Sequence, residues 1–259
     1  NGQERLLEDW NREVLKGYYS VFKAADEDLQ FVFLTGVTKF AQVSVFSGFN
    51  QPMDISLDRR YEALCGITQE ELERYFAEPI AAMAKDFQFS EEEIKEMLKR
   101  QYDGYHFSTN LTDIYNPFSL LNAFAQGELR DYWFQSGTPT YLVRLLSHTD
   151  ENLDELTGRY YEPQEFVDYK ASVEKPLPMI YQSGYLTIKD HKKRRGTFLL
   201  DFPNNEVKNG FVSLVATDYL SPRRGSVNSW IQEVVDALEE GEPDTLRKLF
   251  TSFLADIPY

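Results

Sequence analysis

One apolar segment near the start of the chain constrains its fold more than any other feature. Residues Leu29–Lys39 read LQFVFLTGVTK, and six of the first seven are aromatic, aliphatic or β-branched. Such a run is typical of a strand that is buried on both faces, and Gly36 is placed to end it. The segment therefore predicts a central strand of an α/β layer over Leu29–Val37.

The polar residues at the end of this run are the first candidates for a binding site. In α/β domains, ligands bind beyond the carboxyl ends of the parallel strands. Here the residues in that position are Thr35, Thr38 and Lys39. A core strand followed by an ordinary turn explains the same residues without any ligand. The residues alone leave both interpretations open.

Composition limits the class of protein. The net charge of −15 repels nucleic acid on average and disfavours a dedicated DNA-binding domain. No run of about 18 apolar residues occurs, so we expect a cytoplasmic protein without a membrane span. The only cysteine, Cys65, cannot form an internal disulfide. The chain begins at Asn1 without a methionine, which suggests a fragment of a longer protein.

Helical signals recur along the chain. Apolar residues at helical spacing predict an amphipathic first helix. Thr68 with Glu71 and Ser90 with Glu93 match the capping box, and Asn116 before Pro117 matches an N-cap followed by proline. The predicted helices cover about 4–25, 117–127, 140–147, 177–186, 204–220, 227–239 and 243–254, and two more begin near 69 and 91.

A β-hairpin is predicted between two of these helices. Alternating apolar residues in YLTIKD and TFLLDF flank a basic tip, HKKRRG. Helix, hairpin and helix in this order suggest a winged-helix arrangement. The tip could follow a phosphate backbone as a wing does, or it could be a charged turn that keeps the protein soluble. The basic residues of this region are Lys189, just before the tip, and His191, Lys192, Lys193, Arg194 and Arg195 within it.

Several motifs together resemble those of a known family. They include FVFLTGVTKFAQVSVFSGFNQPMD, YDGYHF, YNPFSLLNAF, YWFQSGTPTYL, YQSGYLTI and FPNNEVKNGF, in this order. This series resembles the bacterial AAA-ATPase-like proteins, over nearly the whole chain. The resemblance implies a P-loop ATPase that is joined to a C-terminal PD-(D/E)XK nuclease-like domain.

The chain departs from this family in its catalytic motifs. It contains neither a GxxxxGK[ST] loop nor an acidic end to an apolar strand. It therefore resembles the middle of such a protein, and ATP and Mg²⁺ are expected in the intact parent but not in this fragment. No catalytic or metal-binding residue is predicted, because His106, His148 and His191 lack metal-ligand spacing.

The resemblance also implies roles for particular residues. Thr35 would correspond to a polar sensor residue near the γ-phosphate, with Lys39 beside it. Gly137 and Pro139 would form the Gly-x-Pro element of a lid over the nucleotide. Pro139 is equally explained as the first residue of a helix. The arginine-finger candidates are Arg59, Arg60, Arg223 and Arg224, and nothing in the sequence selects one of them.

The predicted fold is mainly α, with a residual α/β piece of a P-loop ATPase core, a helical lid and a winged-helix-like β-hairpin unit. The expected divisions are 1–60 for the core remnant, 61–150 for the lid, 151–222 for the winged-helix-like unit and 223–259 for a helical connector.

Two functional hypotheses remain. The first is a fragment of an AAA or STAND-type protein that relays nucleotide state to a nuclease-like or partner domain. Its partners would be a P-loop segment and a C-terminal domain, both absent from this sequence. The second is a non-enzymatic interaction module for protein or, weakly, for nucleic acid.

Overall fold

The computed structural model describes residues 2–36, 53–135, 156–167, 176–219 and 227–255. Within these ranges the protein is mainly helical and contains two small antiparallel sheets. The helices are α1 (Gly2–Ala24), α2 (Gln69–Tyr75), α3 (Ala77–Phe87), α4 (Glu91–Tyr102), α5 (Pro117–Gln126), α6 (Tyr132–Gln135), α7 (Pro163–Phe166), α8 (Leu177–Gln182), α9 (Asn205–Tyr219), α10 (Val227–Glu239) and α11 (Pro243–Ala255). The strands are β1 (Ile67–Thr68), β2 (Ile114–Tyr115), β3 (Arg159–Tyr161), β4 (Thr187–Lys192) and β5 (Thr197–Asp201).

The first helix confirms the predicted amphipathic pattern, but its apolar face is exposed. Four residues of the predicted stripe are each more than half exposed, namely Leu7, Trp10, Val14 and Tyr18, whereas a helix in a packed domain buries such a face against a neighbour. Val21 beside them is exposed to a similar degree, and the fifth residue of the stripe, Phe22, is partly buried.

The predicted strand at Leu29–Val37 is wrong for the residues that the structure describes. Residues 29–36 form no strand, and the side chain of Phe31 is 81% exposed. A buried strand needs neighbouring strands to pair its N–H and C=O groups, and an apolar layer on each face. The described part of the chain places neither beside this segment. A residual α/β piece is therefore not found here.

Helices α2 to α5 form the first of two hydrophobic cores. Both predicted capping boxes are present, since Thr68 caps α2 and Ser90 caps α4. Asn116 caps α5, which ends at Gly127 in the left-handed conformation, as predicted. The apolar stripes of these helices meet in a core that contains Leu72, Ile80, Ile94, Leu98, Tyr102 and Leu120.

The second core lies against a three-stranded antiparallel sheet with the order β3-β5-β4. The β4–β5 hairpin is confirmed, and α8 and α9 lie before and after it along the chain, as predicted. Strand β3 was not among the elements predicted from the sequence. Its three residues are too few to show an alternating pattern, and it is defined by pairing with β5. This core contains Phe166, Ile180, Tyr185, Ile188, Leu200, Val207 and Phe211.

The two C-terminal helices also agree with the sequence, whereas α3, α6 and α7 were not predicted. Helices α10 and α11 cover almost the predicted residues and pack on each other, with the Trp230 indole donating a hydrogen bond to the Leu249 carbonyl at 3.2 Å. The predicted helix over 140–147 lies outside the described residues.

Candidate functional site

Three polar segments meet where the two cores adjoin. The first is the loop Asp103–Phe107 after α4, the second is Lys189 in β4, and the third is the turn Phe202–Asn204 before α9. The Lys189 ammonium donates to the carbonyl oxygens of Gly104 and Pro203, each at 2.9 Å. These bonds hold the first and third segments together.

The same segments are joined by a second set of hydrogen bonds. The Asn204 side-chain amide donates to the Asp103 carbonyl at 2.9 Å, and its oxygen accepts from the N–H of Val207 in the first turn of α9. Gly104 has a φ of +88°, and a Cβ at this position would lie 2.4 Å from the Pro203 oxygen. Glycine is therefore required for this close approach of the two segments.

His106 anchors the loop to strand β4. Its backbone N–H donates to the Thr187 hydroxyl at 2.8 Å, and its Nδ1 faces the Ile188 carbonyl at 2.5 Å. On the other side, Nε2 lies 2.7 Å from Oδ1 of Asp113. Both ring nitrogens thus face acceptors, and only the doubly protonated ring can donate to both.

Asp113 is held in its ionised form. Burial raises its pKa, but hydrogen bonds from His106 and from Lys99 at 3.2 Å act in the opposite direction, and the net pKa lies below the ordinary value. The charge of Asp113 is therefore compensated by the Lys99 ammonium, and its Oδ1 is also hydrogen-bonded to His106.

Among the described residues, Asp103, in contrast to Asp113, is buried without a close partner that compensates its charge. Its side chain is 1% exposed, and neither carboxylate oxygen has a well-formed hydrogen bond within the described ranges. The nearest cation is the Lys99 ammonium, 4.0 Å from Oδ2. Burial raises the pKa of Asp103 to about 6, although the Gly104 N–H lowers it and Asp113 raises it further. A buried carboxylate without partners is costly unless something else supplies hydrogen-bond donors.

A cleft of about 370 Å³ lies beside these residues. Its lining carries three cationic and two acidic side chains, and it includes Asn205, the first residue of α9. The N-terminus of a helix has unpaired N–H groups and a partial positive charge. The full lining is Lys99, Arg100, Asp103, Gly104, Asp113, Lys189, Pro203, Asn204 and Asn205.

A second buried carboxyl, that of Glu206, lies one residue further into α9. Its Oε1 accepts hydrogen bonds from the Ser119 hydroxyl at 3.0 Å and from the Trp133 N–H at 2.8 Å. Its Oε2 has no partner among the residues described. Burial raises the pKa of Glu206 to about 7 against the effect of both bonds, and Asp131 raises it further. This carboxyl joins α5, α6 and α9.

Of the predicted site residues, Thr35 alone lies within the described ranges, so their arrangement stays a prediction. Thr35 is exposed in the irregular segment 29–36, while Lys39, Gly137 and Pro139 lie outside the described residues. Of the arginine candidates, Arg60 is exposed and pairs with Asp58 at 2.6 Å. Arg223 and Arg224 also lie outside the described residues.

The residues that line the cleft are not among the predicted site residues. Several of them lie in or beside the motifs YDGYHF, YQSGYLTI and FPNNEVKNGF, which indicated only a resemblance. A usable signal was present, because Lys189 directly follows the apolar residues of β4 and Asp103 precedes a glycine between two tyrosines. Charged residues at such positions are buried only when partners are supplied.

The described residues were compared with the requirements of a metal site and of a membrane-spanning helix. Within them, no group of three or more His, Cys, Asp or Glu side chains is arranged to hold a metal ion. None of the helices in the described ranges has the length and apolar character needed to cross a bilayer.

A short N-terminal part of the chain is similar to a known protein family. Residues 2–46 match a family described as Predicted AAA-ATPase. This match connects the N-terminal part of the chain with a class of predicted ATPases.

One curated protein is similar over most of the chain. It is an uncharacterized protein in the vnfD 5′ region of Azotobacter chroococcum mcd 1, which is 34% identical over 250 residues. The alignment covers 96% of this chain but 46% of the relative, so the chain spans about half the length of the protein it matches. No solved structure matches.

Proposed function

We propose that this chain is the coupling part of an ATP-binding AAA- or STAND-type protein. In this proposal, residues 1–60 are the remnant of a nucleotide-binding core, which is completed by a P-loop segment that this sequence does not contain. Residues 61–150 form a helical lid, and residues 151–222, with α8, the β4–β5 hairpin and α9, form a winged-helix-like unit. This unit passes the nucleotide state to a nuclease-like or partner domain.

The observation that carries the proposal is the exposed apolar face of α1. This helix lies within the residues that match the predicted ATPase family, and most side chains of its apolar face are more than half exposed. The neighbouring side chain of Phe31 is also largely exposed. Contiguous apolar surface of this kind marks an interface with other protein. The greater length of the similar protein leaves room for such a partner segment.

The site residues have the following roles in this proposal. Thr35 senses the γ-phosphate and Lys39 lies beside it, while Gly137 and Pro139 close over the nucleotide. ATP and Mg²⁺ bind only when the P-loop segment is present. The 259-residue chain by itself should not hydrolyse ATP, since it contains no Walker A sequence.

The test uses the full-length gene product that contains this chain. ATP binding and hydrolysis should be lost in Val14→Asp, which places a charge in the apolar face of α1. They should be retained in Lys16→Gln, because Lys16 pairs with Glu13 at 3.8 Å on the exposed surface of the same helix. Thr35→Ala should reduce turnover with little effect on binding. A full-length protein that binds no nucleotide, or a Val14→Asp variant with unchanged activity, would overturn the proposal.

A second candidate is a nucleic-acid contact made by the hairpin tip. The four cations Lys192–Arg195 are exposed at the end of β4 and in the following turn. The Lys192 ammonium lies 3.4 Å from the centre of the Tyr160 ring, which holds it against β3. Salt-dependent binding of duplex DNA that disappears on replacing all four residues with serine would favour this candidate. Absence of binding at low salt would exclude it.

A further inference from the structure

The cleft beside Asp103 combines two kinds of hydrogen-bonding group that a single ligand must satisfy. On one side, α9 begins at Asn205, and only the N–H of Val207 in its first turn is capped by the Asn204 side chain. The described structure contains no hydrogen bond from the N–H groups of Asn205 and Glu206. These groups, together with Lys189 and Arg100, favour an oxyanion.

On the other side, Asp103 requires donors. Its carboxylate oxygens have no well-formed hydrogen bond in the part of the chain that is described, although the side chain is almost fully buried. A fully ionised oxyanion would be repelled by this carboxylate. An oxyanion that keeps one proton can donate it to Asp103 while its other oxygens accept from the helix and the cationic side chains.

The charge balance of the cleft agrees with an anionic ligand. Asp113 is already compensated by the Lys99 ammonium at 3.2 Å and is hydrogen-bonded to His106 at 2.7 Å. Lys189 uses its ammonium to bind two uncharged carbonyl groups, so its positive charge is not neutralised by them. Arg100 adds a further cation at the exposed edge. The remaining balance of the lining is positive.

We propose that this cleft binds hydrogen phosphate, with the N-terminus of α9, Lys189 and Arg100 donating to its oxygens and its P–OH group donating to the Asp103 carboxylate. Lys99, whose half-exposed ammonium lies 4.0 Å from Asp103, moves aside for this contact and keeps its pairing with Asp113. This inference does not rest on the proposed function.

The choice of ligand gives a direct test by isothermal titration calorimetry on the 259-residue chain. At about pH 8, inorganic phosphate still carries a proton, whereas sulfate carries none and a phosphate monoester with a second pKa near 6 carries almost none. Inorganic phosphate should therefore bind at least about tenfold more tightly than sulfate or methyl phosphate. Equal binding of all three anions would show a simple electrostatic site and overturn the role of Asp103.

Two variants test the two sides of the cleft separately. Asn205→Asp adds a negative charge at the start of α9, which stabilises the helix but repels the anion, so phosphate binding should be lost from a protein that remains folded. Asn209→Asp makes the same change of charge one turn further along α9 and should bind phosphate normally. Asp103→Asn should abolish the preference for phosphate over sulfate.

Two results would contradict the proposed phosphate site. Phosphate affinity that is equal in Asn205→Asp and Asn209→Asp would place the anion elsewhere. No heat of binding to the wild-type chain at about 10 mM phosphate would also overturn the inference. Thermal unfolding of each variant without ligand establishes that a lost affinity is not a lost fold.

Discussion

Replacement of Glu206 by glutamine should stabilise the protein by an amount that grows as the pH rises from 4.5 to about 7. The ordinary pKa of this carboxyl is 4.5, and burial raises it to about 7 in the folded protein. A folded state with the higher pKa binds the proton more tightly than the unfolded state does. Stability from this group is therefore fully present below pH 4.5 and is lost as the pH rises through 7.

The magnitude follows from the difference between the two values. One pKa unit corresponds to about 1.4 kcal/mol, so the ionised carboxyl costs at most about 3 kcal/mol above pH 7. Glutamine keeps a carbonyl oxygen for Ser119 and for the N–H of Trp133 but carries no charge. We expect Glu206→Gln to raise the free energy of unfolding by about 2 kcal/mol at pH 8 and by much less at pH 5.

The assay is urea unfolding followed by circular dichroism, repeated at intervals between pH 5 and 8.5. A matched control is Glu96→Gln, which removes an exposed carboxyl from α4 and should give a curve parallel to the wild type. If Glu206→Gln destabilises the protein equally at every pH, then the carboxylate is required for its hydrogen bonds and is not strained by burial. That result would refute the reasoning.

Four further changes are expected to alter stability, each measured as the free energy of unfolding in urea. Ser90→Ala should cost about 1 kcal/mol, because it removes the oxygen that accepts from the N–H of Glu93 at 3.2 Å; an unchanged value would mean that the capping box contributes nothing. Gly104→Ala should cost at least about 3 kcal/mol, since the new Cβ would lie 2.4 Å from the Pro203 oxygen. Gly196→Ala, where φ is +64° and the space is open, should cost about 1 kcal/mol, and equal costs at the two glycines would contradict the packing argument. Asp103→Asn should stabilise the protein as the pH rises through about 6, and a midpoint equal to that of Glu206→Gln would show that the two carboxyls titrate together.

The elements that could be predicted from the sequence are those with local signals. A capping box needs four consecutive residues, and both predicted boxes begin helices where expected. The β4–β5 hairpin was likewise predicted from two alternating segments joined by a short turn. Strand β3 could not be found in this way, because it exists only through pairing with β5, about 40 residues later in the chain.

The strand expected at 29–37 failed for a related reason. An apolar, β-branched run shows that a segment will be covered, but it does not show by which neighbour. Among the described residues, this run is left exposed, as is the apolar face of α1. Such an apolar run predicts contact with other protein. It is interpreted as a strand because apolar, β-branched runs usually form strands.

The candidate site could not be predicted because its contacts are long-range. His106 meets Thr187 across 81 positions, and Asn204 meets Asp103 across 101. The motifs that contain these residues are visible in the sequence, but their meeting depends on how the two cores pack. The buried carboxyls of Asp103 and Glu206 become informative only when their surroundings are known.

Gly210 in the middle of α9 has a consequence for anyone who engineers this protein. Replacing a helical glycine with alanine usually stabilises a helix by about 1 kcal/mol. Here an added methyl group would lie 2.2 Å from the ring of Phe134, which rests directly on the backbone of α9. Redesign based on helix propensity would choose alanine at this position. The added methyl group would then displace the Phe134 ring from the backbone of α9.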